Sequence, residues 1–318
     1  MSKALDTPIG IYHFLFDRIP GGIPTVAPRP RTINVFKKND KALVAKVKAG
    51  PSVKDAVGQA LSLLGGLSLA VKRGDKVVVK PNFNSPDPFP ASTDLEFLSV
   101  VTQMLLDAGA KVTIGDGAGG VWRPTGNVFD KVGLYDLGKK LGVDIAIFEG
   151  SNAADWVNVK IAGDYLTTVA MPRAAYEADK LVYLPCMKTH RLANISGALK
   201  LAFGFVHPGQ RRSFHVSNLK QKLAEVNLCW QPHLIVMDGR KSFVTGGPDK
   251  GTLATPGLIL ASGDLIATDI EAARALIENG AQESLPADPW SLPQIVTALK
   301  HGLGVTAGGY EVVSGPSR

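Results

Sequence analysis

Lys76-Val77-Val78-Val79-Lys80 is a short β-branched run that stops at Pro81, and the pattern it starts decides the fold. Thr93-Asp94 opens a helical spacing of apolar residues that runs to Ala108 and stops at Gly109. Lys111-Val112-Thr113-Ile114 is the next strand, closed by Gly115-Asp116-Gly117. A helix around 127–141 leads to the strand Ile145-Ala146-Ile147-Phe148. Strands of four or five apolar residues separated by helices predict βαβ units. A strand covered on both faces has no polar alternation to show.

The same rhythm extends outward. Leu181-Val182-Tyr183-Leu184 ends at Pro185, and helices are expected near 192–203 and 217–229. Leu234-Ile235-Val236-Met237 ends at Asp238-Gly239, and Leu258-Ile259-Leu260-Ala261 precedes a helix from about 265 to 279. Upstream, Ser52 is placed to cap a helix reaching Leu64. The expected fold is therefore α/β, a mostly parallel sheet covered by helices on both faces. Segment 151–178 breaks the rhythm. Its alternating Trp156-Val157-Asn158-Val159-Lys160-Ile161 predicts a small inserted hairpin. Residues 18–32 are rich in Pro and Gly. The expected organisation is an N-terminal arm and extended segment over 1–50, then a single α/β domain over 51–318.

Composition narrows the function classes. The chain has 318 residues, 45% hydrophobic and 20% charged, which is enough apolar chain for a large core. Lys and Arg number 35 against 28 Asp and Glu, a net charge of +7. The excess is scattered and lacks aromatic-basic interleaving, so it favours a small anionic molecule over nucleic acid. No run of 18 apolar residues predicts a membrane span, and the start Met1-Ser2-Lys3 does not read as a signal peptide. The cytoplasm is the expected compartment; the oligomeric state is left open. Cys186 and Cys229 have no C-x-x-C partner, which argues against a disulfide framework, a zinc knuckle and an intrinsic iron–sulfur cluster.

Four predicted strands run into unusual polar groups, and in an open parallel sheet the carboxyl ends of strands share one ligand-binding edge. The first is Lys80-Pro81-Asn82-Phe83-Asn84, which reads either as a solvated strand end or as a substrate-binding set of Lys80, Asn82 and Asn84. The second, Gly115-Asp116-Gly117-Ala118-Gly119-Gly120, is either an ordinary βα turn or a loop whose amides approach a phosphate. The third, Lys188-Thr189-His190, places an ammonium, a hydroxyl and an imidazole together. Lys188 and His190 are the candidate catalytic pair, with Lys200 and, on a loop, Arg211, Arg212 and His215 as candidate substrate-binding residues. The fourth begins at Asp238, a candidate metal ligand with Asp116. Asp116 reads equally as a cap of the following turn. Asp269 reads as a structural carboxylate in the first turn of a helix. Cys186 is a remote candidate nucleophile.

Taken in order, Val78-Val79-Lys80-Pro81-Asn82, Thr93-Asp94, Gly115-Asp116-Gly117, Lys188-Thr189-His190, Gly197-Ala198-Leu199-Lys200, Asp238-Gly239 and Gly246-Gly247-Pro248 resemble the domain of unknown function 362 family. The resemblance spans about residues 75–275 and maps onto Lys80, Asn82, Asp116, Lys188, His190, Lys200 and Asp238. It implies association with iron–sulfur modules, from which this chain departs by lacking a cysteine quartet. Two expectations stand. One is an enzyme acting on a small anionic substrate, with lysines as anion clamps, His190 as general acid or base and a divalent metal as a possible cofactor. The other is a non-catalytic metal- or anionic-metabolite-binding protein, or a redox partner of a separate iron–sulfur protein.

Overall fold

In the computed structural model, Tyr12 and residues 16–315 are described. The signal-peptide reading of the first residues lies outside them. The main sheet has nine strands. They are β1 (Lys37–Lys38), β2 (Lys41–Lys48), β3 (Lys76–Lys80), β4 (Lys111–Asp116), β5 (Asp144–Ile147), β6 (Lys180–Tyr183), β7 (Leu234–Gly239), β8 (Leu258–Ser262) and β9 (Tyr310–Val313). Their order is β9-β2-β8-β7-β6-β3-β4-β5, with β1 paired to β2. Strands β3 to β7 form a parallel block. β8 runs antiparallel to β7 and β2, and β9 is parallel to β2. The fold is α/β with a mostly parallel sheet, as the rhythm predicts.

Period-two alternation sorts the sheet residues between two cores. Val77 and Val79 face the helices Val53–Leu63 and Leu95–Asp107. Val78 faces the opposite core, with Leu265–Leu276 and Leu219–Glu225. Lys80 shares its parity with Val78. Its ammonium accordingly lies 5.7 Å from the Phe205 ring centroid in the second core. Helix starts follow their caps. Ser52 Oγ accepts the Asp55 N–H at 3.1 Å, and Asp94 accepts that of Phe97 at 2.9 Å. The single helix expected at 127–141 is two, Thr125–Val132 and Leu134–Leu141. They are split at Gly133, where φ is +78°.

Other differences come from tertiary pairing. Lys41–Lys48, within the segment read as an arm, is a strand of the main sheet. The expected inserted hairpin is present as Trp156–Lys160 and Thr168–Pro172, and Thr25–Val26 adds a third, parallel strand to it. The helix expected from 192 begins only at Ala198. Lys188–His190 and Asn194–Ser196 instead form a tight antiparallel hairpin, with Asn194 in the left-handed region. Residues 208–216, read as a loop bearing Arg211, Arg212 and His215, form a helix. His207 caps it by accepting the Gly209 N–H at 3.0 Å.

Candidate active site

The carboxyl ends of β3 and β4 meet in a buried ion pair. Lys80 Nζ lies 2.6 Å from Asp116 Oδ1 and donates to the Pro81 carbonyl at 2.7 Å. Asp116 also accepts the Phe83 N–H at 2.7 Å and its own neighbour's, Gly117, at 2.6 Å. Burial lowers the Lys80 pKa, opposed by Asp116. The backbone of Gly204 passes directly above this pair. A Cβ there would stand 2.5 Å from both Asp116 Oδ1 and Lys80 Nζ, so only glycine fits.

Beside the pair is a small inner cavity of about 30 Å³, walled by Lys80, Asn82, Asn84, Asp116, Lys200 and Arg211. Arg211 is buried without a carboxylate in salt-bridge reach among the described residues. Its guanidinium donates to the carbonyls of Val206 (2.7 Å), Ala118 (2.7 Å), Gly204 (3.0 Å) and Gly117 (3.2 Å). Burial lowers its pKa to about 10, so it stays charged at neutral pH. The Lys200 ammonium has no hydrogen-bond or ion-pair partner among the described residues. Burial first, then the charges of Lys188 and Lys80, lower its pKa to about 7. The walls thus carry Lys80, Lys200 and Arg211 against the lone carboxylate of Asp116. A buried positive excess of this kind has a large electrostatic affinity for an anion, because little water screens it.

The inner cavity adjoins a chamber of about 260 Å³, and Asn84, Lys200, Phe203 and Arg211 line both. His190 and His215 face this outer chamber. His190 Nδ1 accepts the N–H groups of Leu192 (3.1 Å) and Ala193 (3.2 Å) across the hairpin turn. Burial and the surrounding cations Lys200 and Lys188 push its pKa down to about 2. His190 is therefore a neutral imidazole, and its Nε2 carries the proton.

Lys188, Arg212 and Asp238 line neither cavity. Lys188 is buried with its ammonium donating to the Ala91 carbonyl, and burial lowers its pKa to about 8. Asp238 is held by Arg240, whose Nη2 and Nε reach its carboxylate at 2.8 and 3.0 Å, while Arg240 also bridges to Asp94 at 2.8 Å. A divalent cation between Asp116 and Asp238 would have to displace both Lys80 and Arg240. Nor does the glycine-rich turn offer a phosphate cradle. The amide of Gly117 is taken by Asp116, that of Ala118 by Thr125 Oγ1 and that of Gly119 by the Asn84 carbonyl.

A different ligand-type group lies elsewhere. Asp164, Glu225 and His301 bring one potential metal-ligand atom each within 4.8 Å of one another. Lys300 already sits 2.7 Å from Asp164, and Glu225 accepts the backbone N–H groups of Asp164, Tyr165 and Leu166. An iron–sulfur cluster, which the family resemblance implies, does not fit the donor set. Both cysteines are free and buried, and burial raises each thiol's pKa. Cys186 does line the inner cavity, but as a thiol.

Sequence reading missed two contributors. Phe203 and Gly204 lie three and four residues after Lys200, the spacing that returns to the same side of a helical turn, and that was the available signal. Asp269 is buried and capping, as expected of a structural carboxylate. It sits in the second turn of Leu265–Leu276, however, and caps a different segment, Ala198–Leu201.

The fold and this site define an α/β protein with a basic cavity at the carboxyl edge of a mostly parallel sheet. The chain belongs to the family described as domain of unknown function (DUF362), whose model matches residues 77–274. Every residue named as lining the two cavities lies in that span. The chain is similar to a thylakoid-associated protein of Synechocystis, at 27% identity over 257 residues, covering 78% of this chain and 74% of the relative. Among solved structures it is similar to the lactate racemase apoprotein from Thermoanaerobacterium thermosaccharolyticum, with TM-score 0.45, 14% identity and 74% of this chain covered. A Thermotoga maritima protein aligns with TM-score 0.42, 13% identity and the same coverage of this chain. The matched region spans 57% and 60% of those two chains. No described helix is long and apolar enough to cross a membrane.

Proposed function

We propose that this protein is an enzyme acting on a small anionic substrate whose charged group enters the inner cavity between Lys200 and Arg211. The single observation that carries this reading is the charge balance of the walls, three cations against Asp116, with Lys200 unpartnered. Arg211 and the Lys80–Asp116 pair supply fixed charge. Lys200 gives and takes a proton, since its pKa near 7 matches the working pH of a general acid or base. His190 acts as the neutral donor from Nε2, polarising the group undergoing chemistry. Lys188 tunes the potential around Lys200 and Cys186 without touching the anion.

Calorimetric titration of the intact protein with inorganic phosphate and with acetate tests the reading. A bound anion is expected for the wild type, weakened at least about tenfold in K200M, because a charge-assisted contact contributes roughly 1.5–3 kcal/mol. Equal affinity in both proteins would overturn it.

A second reading, metal binding without catalysis, has the Asp164–Glu225–His301 group in its favour. Elemental analysis of protein purified without chelator tests it, and a metal content well below one per chain removes it.

A further inference from the structure

The inner cavity has room only for a charged head, yet it adjoins a chamber many times larger, and the two differ in chemistry. The chamber wall includes Val121, Trp122, Leu192, Phe203, Leu219 and Leu223. Among the described residues no carboxylate lines it, although Asp17 pairs with Arg123 and Asp249 with Arg191. Its charged walls, Arg123 and Arg191 with Lys200 and Arg211, are all basic. Phe203 lines both spaces. The Arg211 guanidinium lies 5.4 Å from its ring centroid, and the His215 ring meets it edge-on at 6.1 Å. One aromatic ring, one imidazole and a guanidinium thus gather beside both spaces.

A bare inorganic anion would fill the inner cavity and leave this chamber to water against apolar walls. A cavity of about 150 Å³ with apolar walls holds a benzene ring. The chamber, at about 260 Å³, has space for a ring and a short linker. Ring faces also favour a flat partner through stacking and edge contacts.

We infer that the substrate is an aryl-bearing anion, with its carboxylate or phosphate head between Lys200 and Arg211 and its aromatic ring in the outer chamber against Phe203. This rests on the anion-site reading above and adds the substrate class.

Titration calorimetry on the intact protein compares phosphate with phenyl phosphate, and acetate with 3-phenylpropionate and hexanoate. Each aryl anion is expected to bind about tenfold or more tighter than its bare head, the order expected for burying one ring. Val121 and Leu192 are 44% and 52% exposed, so the double variant V121S/L192S keeps the core intact. It is expected to lose most of the aryl advantage and to keep phosphate affinity.

Phenyl phosphate binding no tighter than phosphate overturns the inference, while K200M-sensitive phosphate binding leaves the anion site standing. Hexanoate matching 3-phenylpropionate overturns the aryl assignment. Equal loss of phosphate and phenyl phosphate in V121S/L192S overturns the division into head and ring subsites. Failure of every anion to bind the wild type removes the anion site and the inference together.

Discussion

Asp269 reaches out of its own helix to accept the backbone N–H of Ala198 at 2.5 Å, and that of Leu199 at 3.1 Å, capping the short helix that carries Lys200. Gly197 makes this approach possible, since a Cβ there would stand 2.2 Å from Asp269 Oδ1. A residue distant in sequence thereby fixes the position of the unpartnered ammonium.

Asp269 should give stability a distinct pH dependence. Burial raises its pKa to about 7, against the pull of the two amides. An unfolded chain releases the same proton near about 3.9. Between those values the native state binds more protons, so this group's contribution is present at low pH and is lost as pH rises toward 7. Urea unfolding at pH 5 and pH 8 is expected to show the wild type losing stability relative to D269N. No change relative to D269N between the two pH values would mean a native carboxylate ionised throughout. D269A should cost on the order of 2 kcal/mol at pH 5, because two buried donors lose their acceptor, and less at pH 8.

Lys200 should report anion binding as proton uptake. Its native pKa of about 7 lies below the roughly 10.4 of an unfolded lysine, so its contribution to stability rises with pH across that window. A bound anion favours the ammonium. At pH 8, titration in buffers of different ionisation enthalpy is expected to show uptake approaching about one proton per anion, and none in K200M.

Gly204 should not tolerate a methyl group. G204A puts carbon against both partners of the Lys80–Asp116 pair. A loss of about 1–3 kcal/mol is expected from overpacking, read as a lower melting temperature, together with weaker phosphate binding.

Arg240 should matter to stability more than to binding. R240A strands the Asp238 carboxylate, 1% exposed, without its partner. Breaking a buried pair costs about 3–5 kcal/mol, whereas phosphate affinity is expected to change little because neither residue lines the cavities. R240K should recover only part of the loss, since an ammonium cannot reproduce the two-pronged contact.

The central strands were legible because burial on both faces writes itself as unbroken apolar runs, as in Val77-Val78-Val79 and Ile235-Val236-Met237. Lys41–Lys48 was not, because its sheet partner, Leu258–Ser262, lies more than two hundred residues away. The helix at 208–216 was hidden for another reason. Its residues are mostly polar, and it holds its place through Arg211 and the His207 cap rather than through an apolar stripe.

The sequence by itself determined the parallel sheet, the strand-end placement of Lys80, Asn82, Asn84 and Asp116, and the basic character of the strand-end groups. Local periodicity and charge count carry those without long-range information. Only the tertiary structure decided which cations share a cavity. Lys188-Thr189-His190 is the case in point. It is adjacent in sequence, and Lys188 and His190 share one strand parity, yet Lys188 reaches the Ala91 carbonyl while His190, folded against the hairpin turn, lines the outer chamber. Lys200 and Arg211, from two separate helices, take the centre beside Lys80. Side-chain direction is set by the packing of elements, and a linear motif does not encode it.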